Sequence, residues 1–152
     1  MLGFICDVML GTLAKKLRML GIDSSYHNNI TEGFLIAAAL KENRIVLTRK
    51  TAFPISNKTV AVLFISGNNP KSQLIQTISH FKINKEMISP FSRCISCNNE
   101  LSPLKKELAE GKVADYVFNT TNTFTTCLSC EKLYWPGTHL QNMKILINNI
   151  FV

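Results

Sequence analysis

Short apolar runs alternate along the first ninety residues with stretches whose apolar positions recur every three or four residues. Residues 2–6 form one such run and end at Asp7, the pattern of a buried strand with an acid at its C-terminal end. Leu10, Leu13, Ala14, Leu17 and Leu20 then follow at helical spacing, with Lys15, Lys16 and Arg18 predicted on the opposite face and Gly21 as a stop. Thr31 is a cap for a second helix through Phe34, Leu35, Ala38 and Ala39 to about Asn43. Residues 44–48 read as a buried strand, since Ile45-Val46-Leu47 is continuously apolar and β-branched residues dominate, and residues 59–65 read as another. Asn69-Pro70 opens a helix through Leu74, Ile75, Ile78 and Phe81. Strands alternating with helices predict a parallel α/β sheet with right-handed crossovers, whose ligands gather beyond the strands' C-terminal ends. Asp7 and Lys50 are expected there.

The texture changes near Pro90. Residues 92–136 have little helical periodicity, and paired cysteines bracket them. Leu140, Met143, Ile147 and Ile150 return to helical spacing. The expected organisation is a parallel-sheet domain over residues 1–90, a small ribbon over 91–137, and a helix over 138–152 that packs back on the body.

Composition narrows the class. Hydrophobic residues make up 46% of the 152 positions, enough for a real core. The longest apolar stretches fall well short of the roughly 20 residues of a membrane-spanning helix, so no membrane association is expected. The first residues carry no basic leader and Asp7 interrupts them, unlike a signal peptide, so a cytoplasmic location is expected. The formal net charge is +7, of which residues 1–91 carry +6. Such an excess favours a polyanionic partner such as RNA, although a solubilising surface gives the same figure.

Four of the five cysteines form two Cys-x-x-Cys pairs, Cys94/Cys97 and Cys127/Cys130, separated by 29 residues. Each pair brings two thiolates to one side of an ion, and two pairs complete a tetrahedron, so these four are the expected ligands of one structural zinc. A redox pair would open a helix after a strand, and neither pair sits there. Four thiolates also leave no open position for catalysis at the zinc. Cys6, in an apolar run, reads as a small buried hydrophobe. Zinc ribbons touch nucleic acid or protein, and a protein or ribonucleoprotein partner through the ribbon is the companion expectation.

Several blocks in order make the chain resemble the Mut7-C RNase domain family, PIN-like nucleases with an added zinc ribbon. They are Phe4-Ile5-Cys6-Asp7-Val8-Met9-Leu10-Gly11, Leu13-Ala14-Lys15-Lys16-Leu17-Arg18-Met19-Leu20-Gly21, Glu42-Asn43-Arg44-Ile45-Val46-Leu47-Thr48-Arg49, Phe91-Ser92-Arg93-Cys94-Ile95-Ser96-Cys97-Asn98 and Tyr134-Trp135-Pro136-Gly137-Thr138-His139. The resemblance implies a PIN-like fold and RNA hydrolysis dependent on Mg²⁺ or Mn²⁺ held by clustered carboxylates. Asp7 matches the first acid, and Glu32 stands closest to the second. The third position departs from the family's pattern: Thr-Arg-Asp becomes Thr48-Arg49-Lys50, which puts a cation where a metal ligand is expected. Lysine there would repel a divalent ion and pair with Asp7 or Glu32 instead.

Two readings follow. In the first the chain is a metal-dependent ribonuclease with Asp7 and Glu32 as catalytic residues, its site degraded by Lys50. In the second it is an inactive protein that binds RNA or a ribonucleoprotein through a basic surface and the ribbon. Lys15, Lys16, Arg18, Arg49 and Lys50 are the candidate RNA contacts in either.

Overall fold

The computed structural model describes residues 2–53 and 60–151. Its body is a four-stranded parallel sheet in the order β2-β1-β3-β4, made of β1 (Gly3–Cys6), β2 (Asp23–Tyr26), β3 (Ile45–Thr48) and β4 (Val62–Phe64). Helices α1 (Gly11–Met19), α2 (Glu32–Glu42) and α3 (Pro70–His80) connect or follow the strands.

The apolar runs are continuous because helices cover both faces of the sheet. Alternate residues go opposite ways. Phe4, Cys6, Leu47 and Leu63 face one side, with α1, α3 and the last helix, α5 (Thr138–Ile150), whose Met143 and Ile147 join that core. Ile5 and Val46 face the other side, against Leu35 and Ala39 of α2.

The helix ends follow local chemistry. Thr31 caps α2 by accepting from Phe34 N, and Asn43 ends it in the left-handed region at φ 51°. Asn69 and Ser72 form a capping box at the start of α3, with Pro70 in its first turn. Gly21, at φ +78°, follows α1, and a Cβ there would lie 2.1 Å from the Ser89 carbonyl oxygen, so the segment entering the ribbon packs where only glycine fits.

Two elements differ from expectation. β2 is a strand although Asp-Ser-Ser-Tyr has no apolar run, because polar contacts replace packing at this edge of the sheet. The strand expected over 59–65 pairs only over Val62–Phe64, and Thr59 lies outside the described residues.

The ribbon is a three-stranded antiparallel sheet of β5 (Leu101–Leu104), β6 (Phe124–Cys127) and β7 (Leu133–Tyr134), in that order. The long connection between the cysteine pairs holds a 3-10 turn, Lys106–Ala109, and one short helix, α4 (Asp115–Thr120). Among the described residues no helix is long and apolar enough to cross a membrane.

Candidate functional site

The four thiols converge. The Sγ atoms of Cys94, Cys97, Cys127 and Cys130 all lie within 4.8 Å of one another, with Cys94–Cys130 at 3.5 Å and Cys97–Cys127 at 3.3 Å. Four sulfurs on a tetrahedral zinc at about 2.3 Å stand roughly 3.8 Å apart, so the cluster fits that ion. The turns supporting it match. Asn98 N donates to Cys94 O at 2.9 Å and Glu131 N to Cys127 O at 2.8 Å. The residue after each pair, Asn98 at φ 72° and Glu131 at φ 59°, is left-handed, which closes each knuckle around the metal position.

The thiols are unequal without a cation. Burial pushes the Cys97 thiol up to about 12. Burial also raises Cys94, but hydrogen bonds, first among them that of the Tyr134 hydroxyl 3.0 Å away, bring it down to about 6. Four thiolates packed together are mutually repulsive, and a divalent cation is the partner that lets all four ionise. The cluster can therefore hold a metal ion such as zinc. His139 stands in the first turn of α5, apart from it.

Arg18 corrects the expectation of an exposed basic face on α1. Lys15 is exposed and Lys16 partly so, but Arg18 is only 4% exposed. Its Nε donates to Ser24 O at 2.8 Å, and its Nη1 donates to Ile95 O and Ser96 O at 2.8 and 3.0 Å. The two latter carbonyls belong to the first knuckle, so the ribbon covers this side of α1 and the guanidinium satisfies it. Arg18 is thus a clasp between sheet and ribbon rather than a surface cation.

Asn98, which sequence reasoning missed, completes the clasp. Its Oδ1 accepts from Ser24 N at 2.9 Å, and its Nδ2 donates to Asp23 Oδ1 at 2.7 Å. Asp23 also accepts from Arg44 at 2.6 Å. Burial raises the Asp23 carboxyl, but the Arg44 and Asn98 hydrogen bonds outweigh it and hold the group below its ordinary value.

At the other end of the sheet, Asp7 is 3% exposed and well supplied with donors. Oδ1 accepts from Met9 N at 2.8 Å, capping the turn that leads into α1. Oδ2 accepts from Thr48 Oγ1 at 2.5 Å and from Arg49 N at 2.8 Å. Three of its roughly four acceptor directions are filled by protein.

Glu32, in the first turn of α2, pairs with Lys50: Lys50 Nζ lies 2.5 Å from Glu32 Oε1. That hydrogen bond, with the Asp7 charge as a lesser contributor, raises the Lys50 pKa above its ordinary value. Both partners are about two-fifths exposed, so the pair adds little to stability. What it does is place an ammonium group beside the strand-end acids. Arg49 is engaged as well, its Nη1 donating to Gly67 O. Among the described residues, no three carboxylates or histidines converge as metal ligands; the cysteine cluster is the one such group.

An open parallel sheet with a polar strand-end site is thus joined through a buried clasp to a four-thiol cluster able to hold a metal ion. The family model of the Mut7-C RNAse domain matches residues 2–147, and the chain belongs to that family. No curated protein and no solved structure matches it. Membership implies a nuclease-type function, with RNA as the suggested substrate or partner.

Proposed function

We propose that this Mut7-C RNAse-domain protein binds RNA, and that its metal-dependent hydrolysis is slow or lost because Lys50 stands where a metal ligand would be. The observation that carries this reading is the Lys50–Glu32 ion pair at 2.5 Å, beside an Asp7 whose oxygens are taken up by Met9, Thr48 and Arg49. Asp7 and Glu32 remain the residues that would hold Mg²⁺ or Mn²⁺, which would activate water and offset charge on the phosphate. A divalent ion there has to displace an ammonium and strip protein donors from Asp7, and both oppose its binding. Lys15, Lys16, Arg49 and Lys50 supply a cationic surface for phosphates. Cys94, Cys97, Cys127 and Cys130 hold a structural zinc.

Family membership favours a second reading, in which the exposed Lys50 side chain swings away when substrate and metal arrive and Asp7 and Glu32 then catalyse cleavage. Single-turnover cleavage of a labelled RNA with Mn²⁺ separates the two. The first reading expects no more than residual cutting by wild type and a gain in Lys50→Asp. The second expects efficient wild-type cutting abolished by Asp7→Asn.

A further inference from the structure

The two cysteine knuckles are one local structure used twice, so a difference between them is informative. Both read cysteine, aliphatic, serine, cysteine: Cys94-Ile95-Ser96-Cys97 and Cys127-Leu128-Ser129-Cys130. Both close with the same backbone bonds, since Cys94 N donates to Asn99 O at 2.7 Å just as Cys127 N donates to Lys132 O at 3.0 Å. In both, the first sulfur faces the N–H of the second cysteine, and the second sulfur faces the N–H two residues on, that of Asn99 or Lys132. Two side chains break this equivalence, both at the first knuckle. Tyr134 Oη lies 3.0 Å from Cys94 Sγ, and the exposed Asn99 Nδ2 makes a longer contact of 3.6 Å with Cys97 Sγ. Among the described residues, Cys127 Sγ, the counterpart of Cys94 Sγ, has only other thiols as side-chain partners.

The direction of the short contact follows from metal binding. A zinc-bound thiolate has no proton, so its sulfur accepts and the tyrosine hydroxyl donates. Neighbouring groups orient that hydroxyl. Lys132 Nζ, which can only donate, lies 2.5 Å from Ser96 Oγ. Ser96 then turns its own hydroxyl and its N–H toward Tyr134 Oη, which leaves the phenol proton for the sulfur. Strand pairing holds the ring there, with Thr125 of β6 opposite Tyr134 of β7. The need for such a donor is electrostatic. Four thiolates around a divalent ion carry two negative charges in excess, and Cys94 is buried, where unmatched charge costs most. We infer that the Tyr134 hydroxyl is a positioning group of the metal centre, fixing the Cys94 thiolate and raising the affinity for zinc. The inference rests on the zinc reading above.

The test compares the full chain with Tyr134→Phe, which keeps the ring and removes one oxygen. Zinc affinity is read by competition with a chromophoric chelator, and Co²⁺ in place of zinc gives an optical spectrum of the site. Both proteins are expected to bind one equivalent, the variant about tenfold more weakly, the low range for loss of an outer partner of a metal ligand. The thiolate-to-cobalt charge-transfer band should move to lower energy, because a thiolate without its hydrogen bond is the stronger electron donor. The d–d bands of the tetrahedral site should keep their intensity. Asn99→Ala, which removes only the longer contact, should cost much less affinity than Tyr134→Phe. Equal zinc affinity and an unmoved charge-transfer band in Tyr134→Phe overturn the inference and leave the zinc reading standing. Collapse of the d–d bands makes Tyr134 a purely structural residue and also overturns it, as does an equal loss from Asn99→Ala. No zinc binding by wild type overturns the zinc reading itself.

Discussion

The molecule has two places where ligand-type side chains gather, and they are built in opposite ways. The cysteine centre brings four soft donors to one point and leaves their charge for a metal ion to neutralise. The strand-end site keeps Asp7 and Glu32 but meets them with protein groups, hydroxyl and amide donors on one and a lysine ammonium on the other. Ligand-type residues alone therefore do not make a metal site; what decides is whether their charge is left uncompensated by the chain. Lysine can stand in for a metal at an exposed carboxylate. Among the described residues no lysine or arginine hydrogen-bonds any of the four thiols.

The largest expected effect falls on the cysteine centre. Structural zinc in small modules is worth about 10–16 kcal/mol of apparent binding energy, which is folding energy for a ribbon this small. Cys94→Ser or Cys127→Ser should lose one equivalent of zinc by elemental analysis and lower the melting temperature sharply. A metal-free protein with an unchanged melting profile would break the comparison at its stronger half.

Next comes the clasp. Arg18→Met removes the donors of three carbonyls at the sheet–ribbon junction, each costing about 1–3 kcal/mol if it stays buried and unpaired. Chemical denaturation should read a total loss of about 3 kcal/mol or more. Arg18→Lys should recover only part of it, because a single ammonium cannot reproduce the fork. A loss below that of an ordinary surface substitution would mean that ribbon and sheet are not joined through this residue.

Salt sharpens the RNA side. Affinity for single-stranded RNA should fall steeply as salt rises, and Lys15→Glu with Lys16→Glu should flatten the log–log slope by about 0.7 for each phosphate contact removed. Affinity indifferent to salt would make the basic surface incidental. The smallest effect is on stability at the strand-end pair: Glu32→Gln should leave the melting temperature within about 2 °C of wild type, as befits an exposed ion pair. A larger drop would give the Lys50–Glu32 pair a structural role.

Much of this was legible in the residue pattern because the signals were local. Apolar periodicity located α1, α2, α3 and α5, the β-branched run located β3, and two Cys-x-x-Cys spacings located the thiol cluster. Two of the misses have a common cause, dependence on a partner distant in sequence. β2 carries no apolar run, and its Ser24 is held by Cys6 and by Asn98, 74 positions on. Arg18 reads as a surface cation on its own helix, yet the carbonyls that bury it are 77 and 78 positions away. The short α4 lies in a segment without amphipathic repetition and is only six residues long. Lys50 was readable as an intruder, but whether it would reach Asp7 or Glu32 depended on how α2 meets the end of β3.

The most direct test of the central claim is calorimetric titration of Mn²⁺ into zinc-loaded wild type and Lys50→Asp. If the Lys50 ammonium occupies the cation's place, wild type should bind Mn²⁺ weakly at this site. Lys50→Asp should bind it about tenfold or more tightly, since the exchange removes a repelling charge and adds a ligand. Adding Asp7→Asn in that background should abolish the gain. Tight Mn²⁺ binding by wild type, lost in Asp7→Asn and unchanged in Lys50→Asp, would contradict the account.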